Sequence, residues 1–486
     1  MMKKISIIGS GFSSIAAACY LAQAGHEVHV YEKNKTIGGR ARRLEKDGFT
    51  FDIGPTFYWM PDVFEKFFND FNHIPSDFYE LEKLNPGYEV YFDKNDSIKI
   101  SDNIEEIYQL FEETEKGSAA KLKSFLKDAK RNYEIAVQDL VYRPGNSPLE
   151  LITLESATRL RFLFVSIQKQ IQKKFKSPRL RKLLEFPVLF LGAKPSNTPA
   201  MYNFMNYADF GLGTWHPKGG MYSVVEGMQK LAESLGVKFI TEANVEKISV
   251  ENGQVESLTV NGEKIVTDFV LSGADYHHTE TLLDEKYRQY SEKYWSKKVF
   301  APSALLFYIG INHKLENLSH HTLFFDTDFE PHAADIYDTP RWPETPLFYA
   351  SFPSMTDTNF APEGKEAATI LMPIAPDLED TEELRQKYLK LILERLESLT
   401  GQDIQNNMLF CESYCVNDFK EDYNSYKGNA YGLANILTQT AFLRPKIKSK
   451  KVKNLIFSGQ LTVPGPGVPP ALISGKIAAE QIFQNI

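Results

Sequence analysis

Thiols are scarce in this chain: among 486 residues only Cys19, Cys411 and Cys415 carry one. Three cysteines are too few for a disulfide framework and fit a reducing compartment. They do not suggest a metal centre either, because Cys411 and Cys415 fall in a stretch, 409–416, that reads as strand, and the His/Cys spacing is wrong for one. Long hydrophobic runs are also lacking. No stretch approaches the roughly 18 uninterrupted apolar residues of a membrane span, the richest short run being 186–191. The N-terminal apolar run breaks at Gly9 after a few residues, so it reads as a strand and not as an export signal. Basic charge is not in excess: Lys+Arg 55 against Asp+Glu 63 leaves a formal −8, which argues against a nucleic-acid partner. What is present, 43% hydrophobic and 24% charged residues, suffices for a large soluble enzyme with several cores.

The most informative signal is the order strand, glycine turn, helix, strand, acid over residues 5–32. Gly9-Ser10-Gly11 allows a tight turn and close approach of a pyrophosphate, the helix start at Phe12 and Ser13 offers free N–H groups to negative charge, and Glu32, next to Lys33, can accept ribose hydroxyls. The third small position is Ser14 in place of glycine, from which a slight packing adjustment is expected. A plain buried βαβ unit would explain the turn but not the acid in register.

Further clusters follow. Gly38-Gly39-Arg40-Ala41 places a cation beside the same pyrophosphate, and Gly54-Pro55-Thr56 lets backbone approach a flat ring. Near the C-terminus an apolar strand runs through Ser458 into Gly459-Gln460, then Pro464-Gly465-Pro466-Gly467-Val468-Pro469-Pro470 and a small-residue helix. Gly213-Thr214-Trp215-His216-Pro217-Lys218-Gly219-Gly220 leads into another helix, and Val245 lies in the strand region beyond it.

These motifs together resemble the flavin-containing amine oxidase superfamily, and within it the bacterial-type phytoene and carotenoid desaturases. The resemblance implies an α/β fold: a Rossmann-type FAD-binding domain, a mixed-sheet substrate domain and a helical, membrane-associated lid. It implies FAD as cofactor, with Gly9, Gly11, Phe12, Ser13, Glu32, Lys33, Gly39, Arg40, Pro55, Thr56, Val245, Gly459, Gly467 and Val468 at its site. Val463 and Pro470 depart from the residues many phytoene desaturases carry there, which puts the substrate in question more than the cofactor. The implied reaction removes two hydrogens from a membrane-dissolved carotene by hydride transfer to flavin, either phytoene-type or end-group 3,4-desaturation of a γ-carotene-like substrate, with a quinone or oxygen as electron acceptor. Two other readings stay open: a flavin amine oxidase, and a non-catalytic prenyl carrier resembling the Rab GDP dissociation inhibitors.

Organisation along the chain suggests an FAD domain built from 1–75, 208–290 and 435–486, a helical segment over 76–207 and a strand-rich segment over 291–434. Helical spacing over 103–137 and 158–190, the latter broken at Pro178, supports the second; short apolar strands at 303–311, 347–351 and 368–373 support the third. Residues 156–184 hold nine Lys/Arg, among them Lys173, Lys174 and Lys176, and no acid. This segment reads as a peripheral docking element for anionic lipid on the cytoplasmic face of the membrane, or as a lid with a solvated basic face. His216 and Glu155 are the weak candidates for side-chain catalysis, a structural histidine and an exposed carboxylate being the bland alternatives. His320-His321 reads as wall or structure.

Overall fold

The computed structural model describes residues 1–151, 162, 165–189 and 191–485. Its first sheet is wholly parallel, in the order Leu455–Phe457, Phe269–Ser272, Lys4–Ile8, Glu27–Tyr31, Lys238–Ile240. Such a sheet is buried on both faces, and its strands are accordingly near-continuous apolar runs, with Ile5, Ile7, Val30, Val270 and Leu271 all sealed from solvent. Helices Phe12–Gln23, Met221–Ser234 and Val468–Phe483 cover one face. An antiparallel sheet of Val245–Glu251, Gln254–Val260 and Glu263–Val266 covers the other through Ile248 and Leu258.

The first and last helices touch because residue 475 is glycine, whose added Cβ would stand 2.3 Å from the Ser13 carbonyl oxygen. Overpacking at such a contact costs about 1–3 kcal/mol. Gly475→Val is therefore expected to lower the melting temperature by about 1–3 °C, measured by differential scanning fluorimetry. The substituted Ser14 is fully buried, and the glycine freedom it gives up is recovered across the sheet: a Cβ on Gly273 would lie 2.1 Å from Ser14 Oγ.

The second sheet has the order Met408–Tyr414, Ser303–Ile311, Glu366–Ile374, Phe348–Ser351, His321–Phe324, Tyr88–Asp93, Asp96–Ile100. It is antiparallel except where His321–Phe324 runs parallel to Tyr88–Asp93. Its last two strands correct the expectation that 76–207 is helical. Residues 88–100 form a hairpin turning at Asn95, which takes a positive φ of 61°, and Val90 and Ile98 pair across it; helical spacing begins only after residue 103. The helix expected over 103–137 is two, Ile104–Thr114 and Ser118–Gln138, divided at Gly117. The parallel sheet takes its strands from residues 4–31, 238–272 and 455–457.

Within the basic segment the described residues form helices Ile167–Lys174 and Pro178–Leu189, with Pro178 opening the second, where its missing N–H is harmless. Ile167, Ile171 and Phe175 are completely buried, so this apolar stripe belongs to the core. The solvent face carries Lys173 and Lys176, while Arg179 pairs with Asp96 and Lys182 donates to the carbonyls of Phe325 and Thr327. Among the described residues no helix is long and apolar enough to cross a membrane.

A buried acid lies between the two regions. Tyr88 OH donates to Asp209 Oδ2 at 2.8 Å, and burial pushes the Asp209 carboxyl up to about 8. The native state thus keeps a proton that the unfolded chain releases above about pH 4, so this residue's contribution to stability falls as pH rises from about 4 to about 8. Asp209→Asn is expected to flatten that fall, on the order of a few kcal/mol at its upper end. Urea melts of both proteins at pH 5 and pH 8 check it.

Candidate active site

The parallel sheet sets the site. Past Ile8 the chain turns through Gly9, whose φ of +83° suits glycine, and Gly9 N–H donates to the Tyr31 carbonyl at 2.8 Å. This ties the turn to the end of the neighbouring strand and brings Glu32 beneath it. Glu32 is buried; its Oε2 accepts from Ser10 N and Ser10 Oγ at 3.0 and 2.7 Å, and its Oε1 from Asn34 N at 2.9 Å. A Cβ on Gly11 would meet nothing within 4 Å, so the backbone there is bare toward the cavity, and Gly39 approaches Gly11 so closely that its own Cβ would sit 3.1 Å from the Gly11 Cα.

Arg40 stands beside these glycines. Its Nη2 donates to Ser425 Oγ at 3.0 Å and to the Asn429 carbonyl at 3.3 Å, and its guanidinium carbon lies 5.1 Å from the Tyr423 ring centroid. Its Nε is buried without a hydrogen-bond partner, and it forms no ion pair among the described residues. Loss of hydration lowers its pKa despite the nearby Asp275. A desolvated cation short of an anion fits a pyrophosphate, and so do the bare glycines around it.

All the residues expected at the cofactor, from Gly9 through Arg40, Pro55, Thr56 and Val245 to Gly459, Gly467 and Val468, border one cavity of about 880 Å³. Val245 and Ala243 stand at the Glu32 end. From Thr56 the same cavity continues along apolar and aromatic walls, including Phe57, Trp59, Phe186, Leu323, Phe325 and Met205. The last helix begins at Val468 after Gly467, but Pro469 and Pro470 lack N–H groups, so of its first three residues only Val468 offers one to the cavity.

His216 does not border the cavity. It is buried behind the wall with Nε2 3.1 Å from Asp357 Oδ2, in keeping with a hydrogen-bonded structural histidine. Glu155 lies outside the described residues. His320 and His321 are buried beside His216: the His216 and His320 rings are 4.6 Å apart, and those of His320 and His321 4.4 Å. His321 stacks on Phe57 at 3.9 Å, and its Nδ1 lies 2.6 Å from the hydroxyl of Tyr349, which in turn is 2.8 Å from Thr56 Oγ1. Tyr349 does border the cavity, and nothing in its sequence context marks it.

A second polar group on the wall is Glu185. It is 7% exposed, has no hydrogen-bond partner among the described residues, and is pushed up to about 7 by burial and by the neighbouring Glu330 carboxyl. Nearby His332 is fully engaged, Nε2 with the Pro373 carbonyl at 2.7 Å and Nδ1 with Leu347 N at 2.9 Å.

Residues 13–483 match the family described as flavin containing amine oxidoreductase. A carotenoid 3,4-desaturase of Haloarcula japonica is 41% identical over 99% of this chain and 98% of its own length. The chain belongs to the flavin-containing amine oxidoreductases, in their carotenoid desaturase branch. A 4,4'-diapophytoene desaturase (4,4'-diaponeurosporene-forming) of Staphylococcus haemolyticus is 32% identical over 99% of both chains. The fold is that of a solved oxidoreductase from Methanosarcina mazei, at a TM-score of 0.64 and 18% identity over 98% of this chain and 100% of that one. This family member is an oxidoreductase, and its cofactor is FAD.

Proposed function

We propose that this flavoenzyme desaturates an acyclic carotenoid near its end, in the manner of a 3,4-desaturase. One observation carries the reading: the cavity lined by the dinucleotide cradle is also lined by the apolar and aromatic side chains of Phe57, Trp59, Phe186, Leu323 and Phe325, a wall suited to a hydrocarbon chain. In this reading Gly9, Gly11, Phe12, Ser13, Gly39 and Arg40 surround the pyrophosphate, Glu32 and Lys33 the ribose, and Val245 the adenine. Pro55, Thr56, Gly459, Gly467 and Val468 border the ring. The bound flavin supplies the hydride acceptor, and a membrane quinone or oxygen takes the electrons afterwards. The chain's own task is to hold the reacting carbon within about 3–3.5 Å of the ring and to exclude water, which the walls of Phe57, Trp59 and Leu323 accomplish.

Glu185 favours the end-group reading over phytoene desaturation. A buried carboxyl, protonated to about one half at neutral pH, is a hydrogen-bond partner for a hydroxyl at a chain end, and an unmet cost to a pure hydrocarbon. Glu185→Leu is expected to raise KM for a hydroxylated acyclic carotenoid about tenfold while improving turnover of its hydrocarbon counterpart. Paired assays in liposomes read both.

A substrate of this kind loses about 0.8 kcal/mol per buried CH₂ when drawn through water, so the enzyme takes it from the bilayer. The exposed lysines of the 167–176 region supply attraction to an anionic cytoplasmic leaflet, each worth up to about 1 kcal/mol. Replacing Lys173, Lys174 and Lys176 together by glutamine is expected to abolish most flotation with anionic liposomes and leave flavin bound; undiminished flotation would refute this docking face.

The activity itself is tested by expressing the chain in cells that accumulate different acyclic carotenoids. Loss of two hydrogens and a red-shifted absorption identify a substrate. Peroxide release on adding amines, with no carotenoid change, would favour the amine oxidase reading instead.

A further inference from the structure

We propose that Tyr349 accepts the proton released during desaturation and that His321 receives it from Tyr349; this rests on the desaturase reading above. Removing two hydrogens requires two acceptors. The hydride has one in the flavin, and the second hydrogen leaves as a proton that needs a base on the cavity wall close to the ring.

Tyr349 is placed for that. It lies on the strand Phe348–Ser351 beside Leu323, its side chain borders the cavity, and its hydroxyl is 2.8 Å from Thr56 Oγ1 in the turn assigned to the ring. On its far side the hydroxyl is 2.6 Å from His321 Nδ1. His321 is wholly buried, and its Nε2 has no partner among the described residues, an omission that a purely structural histidine does not explain. The tautomer with the hydrogen on Nε2 leaves Nδ1 free to accept. Burial and the neighbouring His216 keep His321 neutral, which a proton acceptor must be beforehand.

The step balances as follows. Once a hydride has passed from an allylic carbon to the flavin, the adjacent C–H bond lies next to a polyenyl cation. That bond breaks, its electron pair forms the new double bond, and the proton bonds to the Tyr349 oxygen while the Tyr349 hydrogen crosses to His321 Nδ1. A C–H next to such a cation is strongly acidic, so a neutral phenol backed by imidazole is base enough and no ionised carboxylate is required. Tyrosine ends neutral and His321 ends as imidazolium. A quinone that later reoxidises the flavin takes up two electrons and two protons, one of them the proton held at His321.

Burial and His216 disfavour charge on His321, so its imidazolium is a transient state, and the anion of this buried cluster is Asp357. His321, His320 and His216 succeed one another at 4.4 and 4.6 Å, ending on Asp357. Burial alone would raise the Asp357 carboxyl, but hydrogen bonds from His216, Gly219 N and Asn359 N hold it at about 2, so it remains anionic. His320 is anchored on Thr356, with Nδ1 and Oγ1 2.6 Å apart.

The test uses full-length, FAD-loaded protein in anionic liposomes carrying an accepted carotenoid, without oxygen. For Tyr349→Phe we expect unchanged flavin content and unchanged KM, single-turnover product formation slowed at least about 100-fold, and some carotenoid recovered with one added oxygen, water having captured the cation. For His321→Gln, which does not border the cavity, we expect a smaller slowing and a larger rate effect of deuterium at the carbon that loses the proton. Wild-type rates and products in Tyr349→Phe would overturn the assignment. If that variant loses flavin, His321→Gln decides: slowed turnover with the enlarged isotope effect upholds the relay, and its absence overturns it. A wild-type protein that converts no carotenoid would overturn the desaturase reading and the relay with it, whereas an active wild type with indifferent variants overturns the relay alone.

Discussion

Arg40→Ala yields protein that elutes colourless from a sizing column, its flavin left behind. The expectation follows from the state of the guanidinium. It is desolvated enough for its pKa to fall, its Nε is buried without a partner, and no carboxylate pairs with it among the described residues. A cation kept in that condition is tolerated when an anion completes it, and the bare glycines at 11 and 39 leave room for a pyrophosphate beside it. Removing one member of a desolvated charge pair costs about 2–5 kcal/mol, a loss of roughly 30-fold to several thousand-fold in affinity. Arg40→Lys keeps the charge but not the fork, and is expected to retain flavin with weakened affinity. The ratio of flavin to protein absorbance reads all three proteins; a fully yellow Arg40→Ala would contradict the pyrophosphate assignment.

Leu323→Trp separates the two halves of the cavity. Leu323 lies opposite Tyr349 in the second sheet, is nearly buried, and borders the cavity beyond Thr56. A tryptophan there can extend into the cavity that Leu323 borders, which limits the overpacking penalty in the surrounding core, while the space needed by the reacting carbons is filled. Flavin content is expected to stay at the wild-type level and carotenoid conversion to fall at least about 100-fold, because displacing the reacting carbon by even about 1 Å can cost that much. Unchanged conversion would mean that the substrate does not pass this point.

The dinucleotide half of the site was legible in the sequence because it is made by local constraint. A turn that demands positive φ writes glycine at 9, an acid in register with it appears as Glu32, and the glycine pair before Arg40 sets a cation beside them; the resemblance carried Val245 and Gly467. The substrate half was not legible for the opposite reason. His321 and Tyr349 meet through the pairing of two strands in the second sheet, and His216 and Thr56 join them from distant parts of the chain, so His320-His321 read as wall and Tyr349 was invisible. Glu185 follows directly on the basic stretch, and only packing buries it near Glu330. The strands at 88–100 were missed because two short strands between helical patterns carry little signal until a partner, here His321–Phe324, is in place. The apolar residues of the 167–175 stretch have a helical period that fits a membrane face or a core equally; burial assigns Ile167, Ile171 and Phe175 to the core.

The central claim is that FAD and a carotenoid chain share one cavity and meet at Thr56. Anaerobic titration of the flavin-loaded protein with an acyclic carotenoid in anionic liposomes tests it most directly. The account predicts bleaching of the flavin bands in step with a product two hydrogens lighter and absorbing further to the red. Flavin that stays oxidised with every acyclic carotenoid offered, yet bleaches on addition of an amine, would contradict it.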